Sequence, residues 1–211
     1  MNRAGLCLRL LLLVSIAPGL CLASDLKGDA ELLSALRAGG YNLYFRHMAT
    51  EWSQSDHIHK PGDWRSCDPA RVRQLSPAGR EQARAAGQAM RRLQIPVSEV
   101  LASPYCRTVE TARLMDLGDV RETVEVMNLR AADFVGGRVQ VVVTAQALLS
   151  RAPIGGNRVI VAHGNVAREA TPAYPGEGEA LVFEPRGDSE FELVGRIAVH
   201  DWSRLLAIDT E

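Results

Sequence analysis

The chain has 211 residues, of which 46% are hydrophobic and 23% charged, and its formal net charge is −1. This apolar content and balanced charge exclude a disordered chain, and no lysine- or arginine-rich run is present to neutralise a nucleic-acid backbone. The length suits one sizeable domain with a core of its own.

The N-terminus reads as an address. Arg3 and Arg9 flank the start of an apolar run over 10–16, Pro18 and Gly19 interrupt it, and small residues follow at Ala23 and Ser24. This is the pattern of a secretory signal peptide. The run is too short to span a bilayer, which takes about 20 apolar residues. The expected division is a signal peptide over 1–23 and a catalytic-size domain over 24–211, in a periplasmic or secreted protein without stable membrane insertion. Removing Arg3 and Arg9 takes the net charge from −1 to −3, and Cys7 and Cys21 leave with them. Cys67 and Cys106 remain. In a compartment that permits disulfides, an even pair favours a bridge over free thiols. Such a bridge would close a loop of about 40 residues, nominally ~3–4 kcal/mol if unstrained.

Beyond the address, residues 29–38 read as a short amphipathic helix stopped by Gly39-Gly40. Residues 41–45 are aromatic and strand-like. Residues 50–73 carry Trp52, His57, His59, Pro61, Gly62, Trp64 and Pro69, and predict a long loop of the kind that is usually functional. Ser76, followed by Pro77, opens the best helix of the sequence, which runs to Leu93. A strand is expected at 97–102, a helix from Arg107 to Leu117, a strand at 124–127, a helix at 137–149 and a strand at 159–162. Two further strands, 180–183 and 191–199, flank a turn at Pro185-Arg186-Gly187-Asp188. Strands alternating with helices predict an α/β fold, a three-layer α/β/α sandwich around a mostly parallel sheet.

Three strand ends carry residues foreign to a core. Arg46 and His47 follow the first strand, with Thr50 three positions on. Ser103, Pro104 and Arg107 follow the second, and His163, Gly164 and Asn165 the last parallel one. Ligands of open α/β sheets bind outside the carboxyl ends of the strands, so three strands ending in cations predict one electropositive pocket. Arginine forks hold a phosphoryl group by paired hydrogen bonds, and the two histidines supply a nucleophile and a further donor.

The ordered set of motifs resembles the histidine phosphatase superfamily, with its phosphoglycerate mutase-like fold. Arg46-His47 with Thr50 is similar to the family's nucleophile motif. Leu75-Ser76-Pro77-Ala78-Gly79 with Gln82-Ala83 is similar to its Leu-Thr-x-x-Gly-x-x-Gln-Ala segment. Ser103-Pro104-Tyr105-Cys106-Arg107 with Thr111-Ala112 matches its Ser-Pro-x-x-Arg-x-x-x-Thr-Ala element, and His163-Gly164-Asn165 matches the second-histidine motif. The resemblance runs from about Tyr41 to Phe183. The short second half and the address look most like small exported members, of the lipopolysaccharide core heptose phosphatase or phosphohistidine phosphatase type. In those the cysteine pair would bridge the loop to the second phosphate-binding element. The resemblance implies a phosphate-monoester hydrolase with His47 as nucleophile, and with Arg46, Arg107 and His163 binding the phosphoryl oxygens. Thr50, Asn165 and Glu177 are expected to contact substrate. No cofactor or metal is expected, since His57 and His59 lack neighbouring ligands of suitable spacing. The partner is a phosphorylated small molecule or glycan, not a nucleic acid.

The general acid has no clear match to the family pattern. Glu179 is the first candidate, because its segment should return to the pocket; Glu177 is the second and Asp133 the third. Two other readings follow from the same residues: a phosphomutase, which export disfavours, and a catalytically silent module that binds phosphorylated glycans.

Overall fold

The computed structural model describes residues 26–209; the expected signal peptide over 1–23 lies outside them. The described chain is a six-stranded sheet between two helical layers. The strands are β1 (Asn42–Arg46), β2 (Val97–Ala102), β3 (Val120–Glu122), β4 (Asn157–Ala162), β5 (Ala180–Gly187) and β6 (Glu190–Ile197). Their order is β3-β2-β4-β1-β5-β6. The first four in that order run parallel, and β5 and β6 complete the sheet antiparallel. The helices are α1 (Asp29–Ala38), α2 (Pro77–Arg92), α3 (Cys106–Met115), α4 (Arg138–Leu149), α5 (Gly164–Ala170) and α6 (Asp201–Ile208).

Both faces of the sheet are covered, and strand alternation sorts the side chains between them. Leu43, Phe45, Val159 and Val161 join residues of α1, α2, α3 and α6 in one core. Tyr44, Leu101, Ile160 and Ala162 join α4, α5 and part of the long loop in the other. Phe45 stacks on Trp202 of α6 with ring centroids 6.1 Å apart. The hydroxyl of Ser76 caps α2 by accepting from the Gly79 amide at 3.0 Å, and Pro77 stands where no backbone donor is missed. Glycine is required at position 87 of that helix. A Cβ there would lie 1.8 Å from the Met115 carbonyl oxygen, so its absence sets how closely α2 packs on α3.

Three expectations need correction. Residues 124–127 do not form a strand; Val124–Val126 is a single-turn 3-10 helix opened by the Thr123 side chain, and the strand is the preceding Val120–Glu122. Its β-branched composition suits either state, and the cap decides. The hairpin turn lies later than Pro185-Arg186-Gly187-Asp188: β5 continues through Gly187, and Asp188 and Ser189 make the turn with φ of 46° and 68°. Pro185 is accommodated where the β5–β6 register shifts. Finally, α6 closes the chain where no helix was expected, covering the sheet with Trp202 and Leu205.

Residues 50–73 form the expected loop, pinned at several points. Thr50 bridges to Leu75, and a short 3-10 turn at Asp63–Arg65 buries Trp64, which packs on Phe134 at 6.0 Å. Cys67 and Cys106 form a disulfide with Cα atoms 5.4 Å apart, so the loop is tied to the first residue of α3. No helix among the described residues is long and apolar enough to cross a membrane.

Candidate active site

The strand order explains why three distant motifs meet. β2, β4 and β1 are adjacent and parallel, so their carboxyl ends lie side by side. Arg46 pairs with Ala162 in register. The next amide, that of His47, donates to the Ala162 carbonyl at 3.0 Å, and the Ser103 amide donates to Val161 at 2.9 Å. His163 follows β4 directly and is held at its backbone by the Tyr44 hydroxyl, which donates to its carbonyl at 2.7 Å. Arg107 is the second residue of α3. A cavity of about 160 Å³ opens among Arg46, His47, Arg107, His163 and Asn165. A larger groove of about 710 Å³ is lined by both disulfide cysteines, Cys67 and Cys106, but by no histidine and by none of these five.

His47 is buried. Its Nδ1 lies 3.0 Å from the Met48 carbonyl. A carbonyl only accepts, so Nδ1 carries the hydrogen and Nε2 keeps its lone pair. Burial, and then the charge of Arg107, hold the imidazole pKa well below the usual histidine value. The ring is therefore neutral, with the lone pair on Nε2. His163, with its ring centroid 5.7 Å from that of His47, is buried and lowered for the same two reasons. Its Nε2 is 2.9 Å from the Ser103 hydroxyl, and its Nδ1 is buried without a hydrogen-bond partner.

Arg46 is held by the segment that precedes β5. It donates to the Pro175 carbonyl at 3.2 Å and lies 3.5 Å from Glu177. Gly164 makes room for it, since a Cβ there would stand 3.2 Å from the Arg46 Cδ and 2.8 Å from the Tyr174 ring. Arg107 is almost fully buried, stacked at 4.7 Å over the Tyr105 ring.

The other expected residues divide. Asn165 lines the cavity; its amide donates to Asn128 at 2.9 Å while its oxygen is buried without a partner. Thr50 does not line it: its hydroxyl donates to Glu177 at 2.7 Å. Glu177 thus ties Thr50 to Arg46 from behind the cavity. Glu179 is not brought to the cavity, contrary to expectation. Its carboxylate accepts from Arg196 and from the Gly176 amide, both at 2.7 Å. Burial raises its pKa, but these partners outweigh burial and hold it below the usual value. Asp133 is exposed on the 3-10 helix Leu129–Val135 and also lies outside the lining. His57 and His59 are exposed on the loop, and among the described residues no group of three or more His, Cys, Asp and Glu side chains is placed to hold a metal ion.

Several lining residues were not singled out from sequence. Asp56 and Arg73 enter from the long loop, Asn128 and Arg130 from the region after β3, and Tyr174 from the segment before β5. Arg73 stacks over Trp52 at 4.3 Å. Burial, then the neighbouring charge of Arg107, lower its pKa. The Nε atoms of both Arg73 and Arg107 are buried without hydrogen-bond partners. Arg73 immediately precedes Gln74-Leu75-Ser76, so its closeness to a motif was a usable signal; Asp56 had none.

Residues 43–136 match the family model of the histidine phosphatase superfamily, branch 1. The fold is shared with solved structures at low identity. The protein histidine phosphatase SixA complexed with tungstate is 15% identical, with a TM-score of 0.51 over 76% of this chain and 98% of that one. A phosphoserine phosphatase from Entamoeba histolytica, in complex with 3-phosphoglyceric acid, is 17% identical, with a TM-score of 0.51 over 75% and 96%. TTHB049 from Thermus thermophilus is 17% identical, with a TM-score of 0.50 over 75% and 99%. No curated protein matches the sequence. The matched segment carries Arg46, His47 and Arg107, and His163 meets them in one cavity, so the part of the chain that is similar to the histidine phosphatase superfamily is the part that builds this site.

Proposed function

We propose that this protein is an exported histidine phosphatase, which hydrolyses phosphate monoesters through a phosphohistidine on His47, independently of a metal ion. The observation that carries the reading is the state of His47: a neutral ring whose Nδ1 is committed to the Met48 carbonyl, leaving Nε2 free among fixed cations. Nε2 attacks phosphorus, the bond to the leaving oxygen breaks, and the electron pair departs with that oxygen. Arg46, Arg107 and His163 offset the charge on the equatorial oxygens. Water then attacks the phosphohistidine, the P–N bond breaks, and inorganic phosphate leaves while Nε2 regains its lone pair. Asp56 is the one carboxylate lining the cavity among the described residues. Burial raises its pKa, but the Arg107 charge and hydrogen bonds outweigh that and keep it ionised. It is a poor proton donor, so esters with good leaving groups are turned over fastest.

The substrate is a phosphorylated small molecule or glycan; sugar phosphates of lipopolysaccharide and phosphohistidine are the classes suggested by the resemblance. Export is supported by the basic and apolar pattern of the first 23 residues and agrees with a disulfide between Cys67 and Cys106. The test is hydrolysis of an activated aryl phosphate by the purified protein in EDTA. Turnover is expected to persist in EDTA, and His47→Ala is expected to lower it by at least about a thousandfold while the far-UV spectrum is kept. Phosphate binding with no hydrolysis above background would instead favour a silent binding module.

A further inference from the structure

The mechanism above leaves one buried group without a task. Asp56 belongs to the long loop, outside every recognised motif, yet its side chain is 2% exposed and faces that of Arg107, itself 1% exposed. The two carboxylate oxygens accept from the two terminal nitrogens of the guanidinium, Nη1 at 2.9 Å and Nη2 at 3.0 Å. The Arg73 carbonyl accepts from Nη1 as well, at 3.3 Å. Asp56 is fixed in turn, since the Arg73 amide donates to its Oδ1 at 3.1 Å.

A guanidinium offers two forks, one between its terminal nitrogens and one between Nε and a terminal nitrogen. At Arg107 the terminal fork is taken by Asp56. Nε is buried and has no partner, and one hydrogen of Nη2 stays free. A buried donor without an acceptor is costly, and Arg107 lines the cavity in which the phosphoryl group is proposed to sit.

We propose that Asp56 is a positioning residue, which clamps Arg107 by its terminal fork so that the Nε–Nη2 fork is presented to the transferred phosphoryl group. Asp56 touches neither substrate nor reacting atoms; it acts through Arg107. The inference rests on the phosphatase reading, and it makes the loop a working part of the site. It also separates Asp56 from two simpler roles. A carboxylate that merely competed with phosphate for Arg107 would, on removal, raise phosphate affinity and turnover. A carboxylate that merely held the loop would, on removal, lower stability without a specific change in transition-state binding.

The experiment compares the wild type with Asp56→Asn and Asp56→Ala on an activated aryl phosphate, with inhibition by inorganic phosphate and by vanadate. Vanadate can take the five-coordinate shape of the transition state. A misaligned guanidinium is expected to lower kcat by about 100-fold. Inhibition by phosphate is expected to change by less than about threefold, and vanadate to lose most of its advantage over phosphate. Formate, which fits the space left in Asp56→Ala and restores a carboxylate, is expected to raise the turnover of that variant and not of the wild type. Asp56→Glu keeps the charge but moves the carboxylate by one methylene, and is expected to be about tenfold slower. Turnover of Asp56→Asn or Asp56→Glu within threefold of wild type, or an equal loss of phosphate and vanadate affinity, would overturn the proposal while leaving the phosphatase reading intact. A wild type without hydrolytic activity would remove that reading and this inference with it.

Discussion

Two glutamates two residues apart carry opposite consequences for the site. Glu177 accepts from the Thr50 hydroxyl and amide and stands 3.5 Å from Arg46. Glu179 is spent on Arg196 and a backbone amide, on the outer side of the same turn. Glu177→Gln is expected to free Arg46 and lower kcat/KM by about tenfold. The loss should be similar for good and poor leaving groups, because no proton transfer is removed. Glu179→Gln is expected to leave kcat/KM within about twofold, because a half-exposed ion pair away from the reacting atoms contributes little. A plot of log kcat/KM against leaving-group pKa for both variants checks this, and a steeper slope for Glu179→Gln would restore it as the acid. Position in the chain alone could not separate the two, since both were expected near the pocket. What distinguishes them is which cation each one meets, and Arg196 comes from β6, far along the sequence.

At the scale of elements, the parts fixed by local chemistry were legible and the parts fixed by tertiary context were not. Ser76-Pro77 announces α2 because a cap and a preset φ act within four residues. The cations at the ends of β1, β2 and β4 stand out because a core strand does not end in buried charge for packing reasons. Residues 124–127 misled because a β-branched run fits both a strand and a capped turn. The loop over 50–73 was legible as a loop but not as a carrier of Asp56 and Arg73. Its course is set by distant restraints: the Thr50–Leu75 bridge, the buried Trp64 and the Cys67–Cys106 bond. The last of these leads to a prediction. Cys67 is on an exposed stretch and Cys106 directly precedes Arg107, so reduction releases the loop beside the guanidinium that it clamps. Reduction, or replacement of both cysteines by serine, is expected to cost up to ~3–4 kcal/mol of stability and to lower kcat more than it weakens phosphate binding. Denaturant midpoints and phosphate inhibition, measured with and without a dithiol, check it. Unchanged kcat after complete reduction would show that the loop holds its place without the bond.

Across the whole molecule the near-neutral charge conceals a buried contrast, and the contrast has a cost that depends on pH. His47 and His163 both sit in the cavity with pKa values well below 6.5, each because of burial first and the Arg107 charge second. Above pH 6.5 both rings are neutral in the folded and in the unfolded chain, so they contribute no pH dependence. As pH falls through 6.5 the unfolded chain takes up two protons that the folded chain refuses. Stability follows the difference in bound protons and must fall, by up to about 1.4 kcal/mol per pH unit for each ring. The buried or paired carboxylates act lower down. Asp56, Glu99 and Glu179 are held below their usual values, so their stabilisation is full above about pH 4.5 and is lost only beneath it. The interval from pH 6.5 to 5 therefore reports on the two histidines. Thermal unfolding in buffers free of phosphate is expected to move to lower temperature across that interval. His47→Asn and His163→Asn should each remove about half of the slope. Saturating inorganic phosphate should raise the midpoint, because it binds only the folded chain, and should do so most at the acidic end, where an anion between the rings favours their protonated forms. A midpoint that stays level from pH 6.5 to 5 would mean that the rings charge in the folded state, and it would remove the neutral ring on which the proposed phosphohistidine step depends.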